Sequence, residues 1–331
     1  MLDVLLVTFP FFAVVLCGYG AARRRILPLE AISGLNSFVL YFAVPCMLYR
    51  FGASPPIAQL LDGAAIAVYL LCALVLVGFV VAASMNRRIG WNDAAFGALV
   101  AAFPNTGFLG VPLLVALLGA AAAGPAILTI LVDLLVTSSL CVALSRLDGA
   151  DENGVAQSKR VDHSPRVTAR NALASVALNP MPWSILLGGM SSALQMRPPE
   201  PVMQTIGLLA DAASPVALFT IGAVLARSQF MAAQREHEPM PLRDYVPVVL
   251  IKLVIHPLLV LVVGAAAIYL GLPLDKFALT VMVLVAALPS ASNVALLAER
   301  FGADTGRIAR IILLTTGAAF LTFSGAVALV R

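Results

Sequence analysis

The sequence predicts an all-α integral membrane protein of ten transmembrane helices in two inverted five-helix repeats, with broken crossover helices 4 and 9. Three observations predict the class. Of 331 residues, 61% are hydrophobic and only 11% are charged. A soluble domain carries about a quarter charged residues, and no soluble globule of this length has the interior to hide so much apolar surface. The apolar runs are helix-length, unlike the short alternating segments of an outer-membrane barrel. Lys and Arg also segregate. With spans at about 3–22, 29–51, 64–84, 93–119, 124–146, 171–195, 202–226, 245–270, 274–300 and 305–330, sixteen of the 21 cations fall on one side and four on the other, with Lys252 inside a span. The richer side is cytoplasmic, so both termini are expected outside, in a plasma or inner membrane.

Span 1 is followed, not preceded, by Arg23, Arg24 and Arg25, the reverse of a secretory signal. Span 2 carries Pro45, and span 3, 64–84, contains no charged residue. Span 4 is interrupted at its centre by Phe103-Pro104-Asn105-Thr106-Gly107-Phe108-Leu109-Gly110-Val111-Pro112. Pro104 removes a backbone donor and clashes with the preceding turn, while Asn105 and Thr106 suit a new helix start. Non-helical backbone at membrane depth survives only where protein or a water-filled cavity covers it, so the break is a candidate binding site. The bland alternative is a proline kink that serves packing alone.

After span 5, the stretch 147–170 mixes both charge signs with Gly149, Gly154, Ser158 and Pro165. It reads as a cytoplasmic linker between a first five-span repeat, 1–146, and a second, 171–331. The halves match at fixed offsets. Pro10 and Pro180, like Pro45 and Pro215, differ by 170, and Pro104 and Pro289 by 185. The longer loop at 227–244 absorbs the difference. Ala101-Ala102-Phe103-Pro104-Asn105-Thr106 aligns with Ala286-Ala287-Leu288-Pro289-Ser290-Ala291. Because five is odd, the second copy enters from the opposite side, and inverted repeats are a signature of secondary transporters.

Spans 4 and 9 are therefore expected to meet at Pro104 and Pro289. Beyond each break a half-helix starts with amides that lack a helical acceptor and with the positive end of its dipole, an arrangement that favours a carboxylate. Asn105, Thr106 and Gly107 line the first start, and Ser290, Ser292 and Asn293 the second. The competing reading gives these side chains only the broken backbone to satisfy. Intramembrane charges tend to be functional. Asp133 in span 5 and Asp211 in span 7 are candidates to carry a proton or help bind Na⁺, or else are structural. Lys252 in span 8 either snorkels to the cytoplasmic surface or pairs with Asp133. His256 reads as a hydrogen-bonded packing residue. Asp304, Arg307 and Arg310 read as a solvated helix start.

No HExxH, GxSxG or P-loop pattern appears, and three histidines leave little for metal chemistry, so neither an enzyme nor a cofactor or metal is expected. Cys17, Cys46, Cys72 and Cys141 read as small core residues. The formal charge of +4 reflects topology and does not imply nucleic acid.

In Pro104-Asn105-Thr106 followed by Gly110-Val111-Pro112-Leu113-Leu114, and in Ala287-Leu288-Pro289 with Ala298-Glu299-Arg300-Phe301-Gly302, the chain resembles the auxin efflux carrier family. The motif match covers mainly spans 4 and 9. The resemblance implies ten helices in two inverted repeats, crossed broken helices 4 and 9, a scaffold of spans 1, 2, 6 and 7, and a transport domain of spans 3–5 and 8–10 that moves as an elevator. It implies an organic-acid substrate, indole acetate in plant members and small acids such as malonate in bacterial ones, and it carries a carboxylate contact over to Asn105. The short linker fits a bacterial-type member, and a homodimer is compatible with the family. The charge-free span 3 departs from plant carriers, which hold a proton-sensing acid there, so the coupling group does not carry over. The expected function is alternating-access transport of a small organic anion with H⁺ or Na⁺ coupling. A cation-coupled carrier of a neutral or sterol-like solute is the alternative, with a membrane enzyme and a passive channel ranked below both.

Overall fold

A computed structural model describes residues 2–53, 62–147, 180–196, 198–234 and 240–330. The linker read at 147–170, past its first residue, and the first part of span 6 at 171–179 lie outside the described residues. Among those described, the structure is helical, with no strand beyond one isolated antiparallel bridge between Pro104 and Ser290.

The helical segments follow the apolar runs. They are α1 (Leu2–Arg23), α2 (Ala31–Gly52), α3 (Gly63–Ser84), a broken α4 (α4a, Trp91–Ala102; α4b, Thr106–Leu118), α5 (Ala120–Leu144), α6 (Pro180–Ala193), α7 (Glu200–Gln234), α8 (Val246–Tyr269), a broken α9 (α9a, Lys276–Ala286; α9b, Val294–Arg300) and α10 (Thr305–Val330). Seven of these (α1, α2, α3, α5, α7, α8 and α10) are long and apolar enough to cross a membrane, and α4b and α9a are shorter apolar helices. The chain is an all-α membrane protein. Large apolar side chains such as Phe9, Leu16, Leu208 and Val262 point outward, as lipid-facing positions do. Asp62 caps α3 by accepting from the Ala64 and Ala65 amides at 2.9 and 3.1 Å, and Asp275 caps α9a by accepting from Ala278 at 3.0 Å.

Four glycines bring helix backbones into direct contact. A Cβ at Gly18 of α1 would overlap the Phe219 carbonyl oxygen of α7, and one at Gly222 of α7 would overlap the Val15 carbonyl oxygen of α1. A Cβ at Gly188 of α6 would overlap the Tyr49 carbonyl oxygen of α2, and one at Gly52 of α2 would lie 2.8 Å from the Ile185 oxygen of α6. Adding 170 to Gly18, Phe219's partner, gives Gly188; the same step takes Tyr49 to Phe219, Val15 to Ile185 and Gly52 to Gly222. The α1–α7 and α2–α6 crossings are one contact used twice, at the offset that relates Pro10 to Pro180.

One apolar cluster packs α4 and α9 around Leu99, Val100, Leu284 and Leu288 and continues to Phe323 of α10 and Leu48 of α2. A second joins Tyr69 and Cys72 of α3, Leu128 of α5, Val260 of α8 and Met282 of α9a. Four helices contain a single wide π-type turn: Val39–Ala43 in α2, Thr106–Gly110 in α4b, Asp133–Thr137 in α5 and Ile251–Ile255 in α8. Such turns absorb one extra residue and recur at functional positions. Of the four cysteines, Cys72 and Cys141 are buried, Cys46 is intermediate and Cys17 is exposed, which corrects the expectation that all four lie in the core.

Candidate functional site

The two broken helices cross at their breaks. α4a ends at Ala102, and Phe103 is extended because Pro104 disfavours helical geometry in the residue before it. The Asn105 amide donates to the Pro289 carbonyl at 2.8 Å, and the Ala291 amide to the Phe103 carbonyl at 3.0 Å. Each break thus satisfies part of the backbone that the other exposes, which is how irregular chain tolerates membrane depth. At Asn105 the chain makes a tight turn, with φ −77°, ψ 54° and the Thr106 amide on the Pro104 carbonyl at 2.8 Å. The Asn105 carbonyl then accepts from Leu109 and Gly110 at 3.1 and 3.0 Å, starting α4b. On the other strand, the Ser290 amide donates to Thr315 Oγ1 of α10 at 3.3 Å.

Polar side chains gather at this crossing without partners of their own. Asn105, Thr106 and Ser290 are buried. Thr106 Oγ1, Ser290 Oγ and Asn293 Oδ1 are enclosed, and none has a hydrogen-bond partner among the described residues. Buried polar groups are nearly always bonded, so three idle oxygens around one backbone crossing call for an explanation. Ser292 is half-buried beside them, and a Cβ at Gly107 would meet nothing within 4 Å, leaving the first turn of α4b open. The two starts are unequal. Thr106–Leu118 runs for more than three turns, whereas α9b has seven residues, too short for a substantial dipole. The expectation of matching positive ends is corrected to one helix start faced by the polar side chains of the second break.

Behind the crossing lies a buried charged cluster. Asp133 opens the wide turn of α5; its Oδ2 accepts from the Tyr69 hydroxyl and its Oδ1 from the Thr137 hydroxyl, each at 3.0 Å. Lys252 sits in the wide turn of α8 and is 0% exposed. Its ammonium donates at 3.0 Å to the Ala286 carbonyl, the last residue of α9a, and lies 3.0 Å from His256 Nδ1. The His256 ring lies beside the backbone of Ala101, in the last turn of α4a. Asp133 and Lys252 interact electrostatically, but no direct ion pair joins them among the described residues. Lys252 therefore neither snorkels nor pairs directly with Asp133. It is spent on a helix end.

Asp211 is not brought to this cluster. It lies on α7, is exposed, and accepts from Arg50 Nη1 at 2.6 Å. Arg307 corrects the reading of a solvated helix start. It is 2% exposed, donating from Nε to the Asp244 carbonyl and from Nη1 to the Asp93 carbonyl, both at 2.7 Å. It clasps the start of α4a to the entry of α8. Tyr69, Thr137 and Thr315 are site neighbours that the sequence reading missed; a tyrosine hydroxyl well inside the charge-free span 3 was the signal that pointed to Tyr69.

The sequence model described as membrane transport protein matches residues 4–327. The chain belongs to this family. Within it, the chain is 28% identical over 332 residues to a Rhizobium meliloti (strain 1021) protein named "Putative malonate transporter", covering 100% of this chain and 97% of that protein. It is 27% identical over 306 residues to "Uncharacterized transporter YfdV" of Escherichia coli (strain K12), covering 89% and 88%. It is 24% identical over 326 residues to "Auxin efflux carrier component 8" of Arabidopsis thaliana, covering 85% of each. Membership fixes the auxin efflux carrier resemblance and makes the chain a membrane transporter, whose substrate is a small molecule.

Proposed function

We propose that this transporter is a secondary carrier of a small organic anion, a malonate-like mono- or dicarboxylate, working by alternating access. The observation that carries the reading is the set of idle buried oxygens and open helix start where α4 and α9 cross. The α4b start, with the Asn105 side chain and the adjacent backbone amides, supplies donors to a carboxylate, and the hydroxyls of Thr106 and Ser290 add donors that no protein group uses. Pro104 and Pro289 hold the crossing open, and Gly107, Ser292 and Asn293 flank it. None of these side chains is charged, which suits a guest that must bind and then leave.

The paired offsets of 170 and 185 support two inverted repeats, 1–146 and 171–331, joined by the cytoplasmic linker 147–170. The glycine contacts support a scaffold of spans 1, 2, 6 and 7, past which spans 3–5 and 8–10 move as an elevator. Both termini face outward from a plasma or inner membrane, and no enzymatic step is assigned. Asp133, held by hydroxyls and within the field of Lys252, is the coupling candidate with the stronger support; Asp211, exposed and ion-paired, has less. The relative named for malonate makes that dianion the first probe. A thermal-shift screen of purified protein against malonate and other mono- and dicarboxylates tests the reading. Stabilisation by a carboxylate that Asn105→Ala abolishes supports it, and a flat response across the series overturns it.

A further inference from the structure

Lys252 and His256 serve two equivalent positions on the two broken helices. Ala286, whose carbonyl accepts from the Lys252 ammonium, closes α9a. Ala101, which the His256 ring meets through its backbone, lies in the last turn of α4a. These alanines are 185 residues apart, the offset that superposes the Pro104 and Pro289 breaks. An ammonium only donates, so His256 Nδ1 is the acceptor of the 3.0 Å contact. The ring proton then resides on Nε2. The dyad therefore sits at the C-terminal ends of both first half-helices.

Helix C-termini present unpaired carbonyls and the negative end of the dipole. Where broken helices converge in transporters, such ends and the neighbouring unwound carbonyls are what coordinate Na⁺. Here a fully buried side chain already brings a positive charge to that position. Asp133, on α5, is the only buried acid among the described residues and supplies the countercharge across a gap. Tyr69 of α3, Thr137 of α5 and His256 of α8 are the other groups around these two charges, together with the thiols of Cys72 and Cys141.

We propose that the Lys252 ammonium, seated with His256 on the convergent C-terminal ends of α4a and α9a, is a built-in replacement for a bound Na⁺, so that this carrier works without sodium and leaves coupling to protons. The inference rests on the transporter reading above. It makes Lys252 a positioning residue: its charge fixes the two half-helix ends and sets the field at the crossing, without touching substrate.

The test is a Na⁺ titration of the melting temperature of the detergent-purified full chain at constant ionic strength, with N-methylglucamine as the replacement cation and no organic anion present. The wild type is expected to show no Na⁺-specific shift. Lys252→Ala, which empties the position, is expected to melt lower and to regain stability with Na⁺ by about 5 °C at a hundred times the Kd; Lys252→Gln, which keeps a donor for Ala286 without the charge, serves if the alanine variant does not fold. In proteoliposomes, wild-type malonate uptake under an imposed pH gradient is expected to be unchanged when Na⁺ is removed. A Na⁺-specific stabilisation of the wild type, or uptake that stops without Na⁺, overturns the proposal. Absence of malonate uptake in every medium counts against the substrate reading instead, and the melting titration still decides the role of Lys252.

Discussion

Gly18 and Gly188, 170 residues apart, make the same contact: each lays its bare Cα against the backbone of a helix from the other half of the chain, at Phe219 and Tyr49. Phe219 and Tyr49 are themselves 170 apart. Backbone against backbone leaves no side chain to repack, so the two crossings are the least adjustable contacts between α1, α2, α6 and α7.

Gly18→Ala and Gly222→Ala are therefore expected to destabilise the protein by about 1–3 kcal/mol each, the range for overpacking a tight site, because the added methyl meets main chain. Gly20→Ala, with nothing within 4 Å of its added carbon, is expected to be neutral or slightly stabilising. Melting temperatures of the three purified variants check this. Equal behaviour of Gly18 and Gly20 would remove the interlock.

At the crossing, stability and binding should separate. Ser290 Oγ and Thr106 Oγ1 have no protein partner, so Ser290→Ala and Thr106→Val leave no group newly unpaired and are expected to keep or raise the melting temperature. Each is expected to weaken malonate binding by about 1 kcal/mol, one neutral hydrogen bond. Asn105→Ala is expected to weaken it further while folding is retained. Calorimetric titration beside a melting curve distinguishes the two effects; loss of stability without loss of binding would make these oxygens structural.

Asp133→Asn keeps the size of the side chain and an oxygen for Tyr69 or Thr137 but cannot release a proton. Transport driven by an inward pH gradient is expected to collapse, while exchange of labelled for unlabelled malonate at equal pH persists. Asp211→Asn, which breaks only an exposed ion pair worth about 0–1 kcal/mol, is expected to leave the pH dependence intact. Measuring both fluxes in proteoliposomes checks the pair; an unchanged gradient response in Asp133→Asn would end its coupling role.

Arg307→Ala removes hydrogen bonds to the Asp93 and Asp244 carbonyls and vacates space against Gly97. A loss of roughly 3 kcal/mol is expected, from buried bonds to a charged donor. Gly97→Ala should act in the same direction, because its methyl would press on the guanidinium, 2.9 Å from Nη1. Unfolding in denaturant measures both.

Much of the fold was legible because lipid makes hydropathy nearly sufficient: the long apolar runs became α1, α2, α3, α5, α7, α8 and α10 with ends shifted by a few residues. The breaks were legible because Pro104 and Pro289 cannot continue a helix. Side-chain pairing was not. Sequence placed Lys252 at a depth but could not see that a wide turn in α8 would turn it onto the end of α9a, nor that the hydroxyl of Tyr69 would reach across from α3 to Asp133. Arg307 looked solvated because its partners are backbone carbonyls, which leave no trace in residue types. The unequal lengths of α4b and α9b were hidden because the chain stays non-helical through Asn293, so the second half-helix starts late, at Val294.

The wide turn of α5 has one more consequence. A π-type turn holds one residue beyond what an α-helix needs, so α5 contains a spare beside its buried acid; the Asp133 carbonyl accepts both the amide of Ser138 and its hydroxyl, the latter at 2.8 Å. Excising lipid-facing Leu135 would let the helix close to ordinary pitch, and the contacts of the turn itself would alter, those of Thr137 with the Asp133 carboxyl and of Ser138 with its carbonyl. The aim of the acid is in this way uncoupled from the thickness the helix has to bridge.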